Sequence, residues 1–176
     1  AHIGMHCEGS CMNIAICEAV HAEEGGVKFE PSQHPESLNL WECEAAAWFY
    51  AKNGLIENSK ILYEHIIKTY SNRSPIMNSG GQSEAVTNAY VNMANIYSGT
   101  GQGKLALDSL KKASARTLDE ELKADVLYRI GREYYYEGDY KNAIRSLQYS
   151  LNQNEGHNKV RNKARLILKQ AMDKNK

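Results

Sequence analysis

The side chains in this sequence best suited to contacting another molecule are amides, guanidinium groups and aromatic rings at helical spacing. Asn88, Asn92 and Asn95 follow at i, i+4 and i+7, which places them on one face of a helix. A carboxamide both donates and accepts hydrogen bonds, so this stripe could pair with the backbone of an extended peptide of any sequence. Asparagine is a mediocre helix former. The stripe therefore either serves binding or is a solvated polar face, and the sequence leaves both open.

A second group combines two arginines with two tyrosines. Arg129 and Arg132 lie about one helical turn apart, beside Tyr128 and Tyr135. Guanidinium groups bind carboxylates and phosphates through charge-assisted hydrogen bonds, while aromatic rings can cover an apolar side chain. The spacing therefore indicates a surface that could hold a carboxylate or a phosphate.

Two tryptophans, Trp41 and Trp48, lie two helical turns apart. Tryptophan and tyrosine dominate binding hot spots, and we expect Trp48 to face a partner. For Trp41 two interpretations stay open, because aromatic residues at helical spacing are usually core. Trp41 lies either on the same surface as Trp48 or beneath an N-terminal helix.

Cysteine and histidine are crowded near the start of the sequence. Cys7 and Cys11 are spaced i, i+4, as are Cys17 and His21, and His6 is adjacent to the first pair. Thiolates and imidazoles together could bind zinc, but these pairs do not share a helix face and the short C-x2-C knuckle is absent. We therefore predict no metal and no cofactor, and expect the four cysteines to be small buried hydrophobes.

No catalytic motif accompanies these residues. The sequence has no phosphate-binding glycine loop with Lys-Ser/Thr, no nucleophile elbow and no His-Glu-x2-His helix. The segment 99–104 is glycine-rich but lacks the spacing of a phosphate loop, so we predict a turn between two helices. The expectation is that the protein is not an enzyme and has no small-molecule substrate.

Charge and hydropathy exclude further classes. The 21 Lys and Arg balance the 21 Asp and Glu, so no net charge draws the chain to nucleic acid or membrane. Residues 158–176 nevertheless carry seven basic residues and one acidic residue. The segment ending at Ala22 resembles a signal-peptidase site, but its apolar stretch is short and Glu18 interrupts it. We predict a cytoplasmic protein with no membrane span.

The elements that position these residues are helices. Apolar residues recur at helical spacing nearly throughout, and no long stretch alternates with period two. Glycine and proline clusters interrupt the pattern. The sequence therefore predicts short helices joined by tight turns, with longer loops at about 24–36 and 72–82.

One spacing pattern occurs three times. Two occurrences have a bulky residue, a large-small pair, an aromatic residue, a turn glycine, and then a small and a bulky residue; the occurrence that begins at Cys43, with the pair Ala46-Ala47, is more degenerate. The three sets are Cys43, Ala46, Ala47, Tyr50, Gly54, Ser59 and Tyr63; Tyr90, Met93, Ala94, Tyr97, Gly101, Ala106 and Leu110; and Leu127, Ile130, Gly131, Tyr134, Gly138, Ala143 and Leu147. The pattern resembles the tetratricopeptide repeat (TPR), a helix-turn-helix unit with a period of about 34 residues. The longer spacing between the first two sets places extra residues around 75–81.

The residue types in this pattern have physical roles. Small residues on both helices let them approach closely, and bulky residues fill the space between neighbouring units. Among them we assign Tyr50, Tyr90, Tyr97 and Tyr134 to packing. A glycine ends each first helix by adopting a backbone conformation that is costly for other residues.

The resemblance implies an all-α fold, a right-handed α-α superhelix of three helix-turn-helix repeats at 40–73, 87–120 and 124–157. It implies a single domain over 1–176, with an N-terminal helix and loop in 1–36 and a basic C-terminal capping helix in 158–176. Within the first segment, residues 8–23 are either part of a decayed repeat or an independent capping helix.

The resemblance also implies a function, because the first helices of successive repeats in this family line a concave groove that holds a partner. Carried over by register, the groove residues are Trp41, Glu44, Trp48, Asn88, Asn92, Asn95, Asp125, Tyr128, Arg129, Arg132 and Tyr135. Asn92 and Arg129 resemble members of the family's carboxylate clamp, but Glu44, Trp48 and Asp125 depart from it, so we do not predict chaperone binding. We expect a non-enzymatic scaffold or adaptor that binds a protein or peptide. The alternatives are a self-association module of a larger assembly, or nucleic-acid binding through the basic C-terminal helix.

Overall fold

The computed structural model describes residues 31–71, 82–153 and 160–176, and the regular structure in these ranges is helical. A short 3-10 helix precedes seven α-helices, and the described ranges contain no strand. The helices are α1 (Leu40–Lys52), α2 (Ile56–Tyr70), α3 (Gln82–Gly99), α4 (Gly103–Arg116), α5 (Glu120–Tyr136), α6 (Tyr140–Asn152) and α7 (Arg161–Lys174). The predicted all-α class is confirmed.

Several predictions concern residues outside these ranges. They are the helix or decayed repeat at 8–23, the cysteine–histidine cluster from His6 to His21, and most of the loop at 72–82. After this loop, α3 begins at Gln82, and its buried face includes Ala85 and Val86.

Contacts divide the chain into two compact units, Ala1–Thr69 and Tyr70–Lys176, here called unit one and unit two. In the described part of unit one, α1 begins with a capping box, in which Asn39 and Glu42 each accept a hydrogen bond from the other's backbone N–H. The buried Ser59 Oγ donates to the Ala47 carbonyl oxygen at 2.8 Å. This bond joins α2 to α1, so the two helices form a hairpin.

The described part of unit two consists of two more hairpins, α3–α4 and α5–α6, and of α7. Each helix packs against the next one along the chain, and α4 joins the two hairpins by packing against α5. The core they share includes the buried residues Val91, Ala94, Ala106, Leu107, Leu110, Ala113, Val126 and Ile130. The tyrosines assigned to packing pack as predicted, since Tyr90, Tyr97 and Tyr134 lie partly buried against this core.

The predicted turn glycines have the predicted conformation. Gly54, Gly101 and Gly138 follow the first helices α1, α3 and α5, with φ of 76°, 74° and 80°. A side chain with a Cβ costs about 1–2 kcal/mol in this left-handed region. The glycine-rich segment 99–104 contains the turn between α3 and α4, as expected: α3 ends at Gly99, residues 100–102 form the turn, and α4 begins at Gly103.

The close approach of α5 and α6 depends on a second glycine. A Cβ at Gly131 would lie 2.6 Å from Leu147 Cγ and 3.3 Å from the Ala143 carbonyl oxygen. Ala143 and Leu147 are themselves fully buried. The buried Ser150 Oγ, near the end of α6, donates to the Ala124 carbonyl oxygen, near the start of α5, at 2.7 Å. The small residues of the repeat pattern therefore do allow close packing of the two helices.

The basic helix α7 closes unit two by packing on α6 and α5. Its buried side is made of small residues, with Ala164 and Ala171 fully covered, whereas Lys163, Arg165 and Lys169 are exposed. This amphipathic arrangement covers the α5–α6 hairpin with one face and presents charge on the other; that α7 caps the repeats stays a prediction.

Replacing Gly131 by alanine should lower the free energy of unfolding by about 1–2 kcal/mol, because the new methyl group overpacks the contact with Leu147. Gly99→Ala is the matched control, since a Cβ there meets no atom within 4 Å and an alanine favours the helix. Urea unfolding followed by circular dichroism measures both. Equal stability of the two variants would show that α5 and α6 are not held at this distance.

Asp139 is the N-cap of α6. Asp139→Ala should lower the free energy of unfolding by about 1 kcal/mol at neutral pH. The side-chain bond from Asn142 Nδ2 and the backbone bond from Asn142 N hold the pKa of Asp139 below its ordinary value of 3.8. The stabilisation is thus complete above that value and is lost as the pH falls through the lowered pKa. The stability gap to wild type should shrink in acid, and a gap independent of pH would contradict this.

Gln102→Ala is the control for that experiment. Gln102 is the N-cap of α4 but makes no capping side-chain hydrogen bond. Its loss should therefore change the unfolding free energy little at any pH.

Candidate functional site

The surface that brings the largest group of candidate residues together lies on α3 and α5, the first helices of the two hairpins in unit two. We call it the α3–α5 face; it consists of Asn88, Asn92, Asn95 and Ser98 on α3 and Asp125, Tyr128, Arg129, Arg132 and Tyr135 on α5. Asn95 is exposed and the others are partly buried. Two side-chain bridges connect the helices across this face.

The first bridge joins an asparagine and an arginine that are 34 residues apart. Arg129 Nη1 donates to Asn95 Oδ1 at 2.6 Å, and Arg129 Nε donates to Asp125 Oδ2, also at 2.6 Å. The Asp125 and Arg129 side chains retain 29% and 27% of their exposure, so both can still be reached from solvent. Because Asn95 uses its oxygen on Arg129, its Nδ2 donors are the end of the amide available to a partner.

The second bridge centres on a buried carboxylate. Glu133 is only 5% exposed, and its Oε1 accepts from Ser98 Oγ at 2.9 Å and from Arg132 Nη2 at 3.1 Å. A buried charge is tolerated only when it is paired and hydrogen-bonded. Along α3 Asn95 comes before Ser98, and along α5 their partners Arg129 and Glu133 come in the same order. The two helices therefore run in the same direction, as stacked repeats require.

Glu133 was not among the residues selected from the sequence. A signal was present, because Val126, Ile130 and Glu133 are spaced i, i+4 and i+7, and this is the buried stripe of α5. A carboxylate on such a stripe needs a partner inside the protein. Which partner it finds depends on the stacking of α3 against α5.

An aromatic group continues the face toward the turn after α5. The Tyr135 ring lies 5.8 Å from the Tyr136 ring and 5.8 Å from the Tyr140 ring, measured between centroids, at interplanar angles of 65° and 59°. These tilted arrangements are favourable for aromatic pairs. Tyr136 remains largely exposed, so the group presents an apolar surface beside the polar bridges.

The candidate residues of unit one lie on α1. Trp41 and Trp48 are each 56% exposed, and Lys52 Nζ lies 5.5 Å from the centroid of a Trp48 ring, within cation–π range. Glu44 on the same helix is partly buried. That Trp48 shares one hollow with Asn92 and Arg129 stays a prediction.

Two further titratable side chains, Cys43 and Tyr63, lie buried in the packed core. Cys43 is buried as expected, and burial raises the pKa of its thiol to about 11. Burial likewise raises the pKa of Tyr63 to about 12. Within the described ranges, no group of three or more His, Cys, Asp or Glu side chains could hold a metal ion. No helix described by the structure is both long and apolar enough to cross a membrane.

Comparison with known protein families agrees with the repeat pattern. Residues 124–156 match the model of the tetratricopeptide repeat, a segment that covers most of α5 and all of α6. This supports the predicted resemblance and the reading of unit two as a helical repeat. Tetratricopeptide repeats are typically protein–protein interaction modules and are generally non-catalytic. None of the curated proteins compared with the chain matches it.

The buried bridge predicts a stability effect. Glu133→Ala removes the acceptor of both Ser98 and Arg132 and should lower the unfolding free energy by about 2–3 kcal/mol. Glu133→Gln keeps the shape and one acceptor oxygen, so this variant should lose less unfolding free energy. Urea unfolding of both variants measures this. If Glu133→Ala is as stable as wild type, the bridge does not hold α3 against α5.

Proposed function

We propose that this protein is an interaction module that binds a segment of a partner protein along the α3–α5 face. The observation that carries the proposal is the hydrogen bond between Asn95 and Arg129. It joins the first helices of two successive hairpins, so that the polar side chains of both contribute to one surface. The match of α5 and α6 to a repeat class that binds proteins supports the same conclusion.

The chemistry of this face suits an extended peptide. The amides of Asn92 and Asn95 can donate to peptide carbonyl groups, and Asp125 has acceptor capacity for a peptide N–H. The tyrosines of the face and the exposed Tyr136 offer apolar area with few rotatable bonds, which lowers the entropy cost of binding. A partner segment would therefore be held by its backbone on the amides and by an apolar side chain on the rings.

The exposed side of α1 is a further proposed contact surface. Two tryptophans that are each more than half exposed are uncommon on a protein surface unless a partner covers them. We include Trp41, Glu44 and Trp48 in the proposal as residues of unit one that contact a partner protein.

The test uses peptides selected for binding to the wild-type protein from a displayed random library. Replacing Asn92 and Arg129 together by alanine should weaken the selected peptides at least about ten-fold, since hot-spot truncations cost more than 1 kcal/mol. Fluorescence anisotropy of the labelled peptides measures the affinity, and thermal unfolding checks that the fold is kept.

The matched control carries Arg145→Ala and Gln148→Ala, which also remove one guanidinium and one amide but from the exposed surface of α6. This variant should bind the peptides as wild type does. Full affinity in the Asn92 and Arg129 double variant would refute the proposal, and so would an equal loss in the control.

A further inference from the structure

The positive charge of Arg129, at the centre of the α3–α5 face, is already offset by the carboxylate of Asp125. Arg129 Nε donates to the Asp125 carboxylate at 2.6 Å, and Arg129 Nη1 donates to the neutral amide of Asn95. A guanidinium in a bond of this kind keeps its donor geometry, but its charge is offset by the carboxylate beside it. An anion that approached Arg129 would therefore meet Asp125 as well.

The other charges of the face do not restore a positive field. Arg132 is paired with the buried Glu133, and Glu121 lies four residues before Asp125, on the same side of α5. The only charged residue of α3 is Glu84. α3 and α5 together therefore oppose, and do not attract, a negatively charged group, because like charges brought together in an interface repel.

We infer that Asp125 is the specificity-determining residue of this face: it offsets the charge of Arg129 and thereby excludes partner segments that present a carboxylate or phosphate there. The inference rests on the proposed function. The partner segment bound on the α3–α5 face is one whose contacting part is uncharged, recognised through its backbone amides and apolar side chains. A peptide C-terminus or a phosphorylated side chain is not held by Arg129.

The same pair has a purely local role as well, since oppositely charged residues at i, i+4 stabilise a helix slightly. Asp108 and Lys112 on α4 form such a pair at 2.7 Å, well exposed and away from the face. They supply the comparison that separates the two roles. A helix-stabilising role predicts the same behaviour for both pairs, whereas anion exclusion predicts a difference.

The experiment titrates wild type, Asp125→Asn and Asp108→Asn with inorganic sulfate at constant ionic strength, followed by the NMR signals of the Arg129 Nε–H and the Asn95 amide. Wild type and Asp108→Asn should show no saturable shift up to about 50 mM sulfate, a range in which non-specific surface charge is screened. Asp125→Asn should bind sulfate at least about ten-fold more tightly, because one compensating charge is gone. Equal sulfate binding by wild type and Asp125→Asn, or an equal gain in Asp108→Asn, would overturn the inference.

A peptide arm distinguishes failure of this inference from failure of the proposed function. Each peptide selected on wild type is resynthesised with glutamate in place of each uncharged residue in turn, and both proteins are tested. At one or more positions, glutamate should weaken binding to wild type about ten-fold and have less effect in Asp125→Asn. Equal effects in both proteins at every position would contradict charge exclusion. Peptides that bind equally well after loss of Asn92 and Arg129 would refute the proposed function, whatever the sulfate result.

Discussion

The contact on which the arrangement of unit two depends is the close approach of α5 and α6 at Gly131. The glycine leaves room for Leu147, which a methyl group would displace, and Ala143 on the facing helix is fully buried. The Ser150 hydroxyl, bonded to the Ala124 carbonyl, holds the opposite ends of the same two helices together. With both ends fixed, the direction of α5 is determined, and α5 carries most of the charged residues of the candidate site.

The stacking of α3 beside α5 is set by the core that these helices share with α4, and it explains how a carboxylate can be buried. Removing Glu133 from water is costly, and its attraction to a single partner does not always offset the cost. Here a hydroxyl from α3 and a guanidinium from α5 converge on one oxygen. The buried carboxylate therefore ties α3 to α5 at the offset that brings Ser98 to Glu133.

Along the α3–α5 face the same stacking produces a surface of low net charge. Asn95 accepts from Arg129, which is in turn compensated by Asp125, so the polar groups are oriented by one another before any partner arrives. Preorganisation of this kind reduces the entropy cost of binding. The exposed tyrosine beside it adds apolar area without adding charge. The face is thus matched to backbone recognition better than to an ionic grip.

The sequence by itself determined the helical class, the left-handed turn glycines, the small residues between paired helices and the packing role of the repeat tyrosines. These features arise from local conformational preference and from the helical period, which short segments already contain. The bond from Arg129 to Asn95 and the bond from Ser98 to Glu133 were decided only by the tertiary structure. The bonded residues are 34 and 35 positions apart. The offset between stacked helices and the side-chain rotamers that meet there are not encoded in the spacing along one helix.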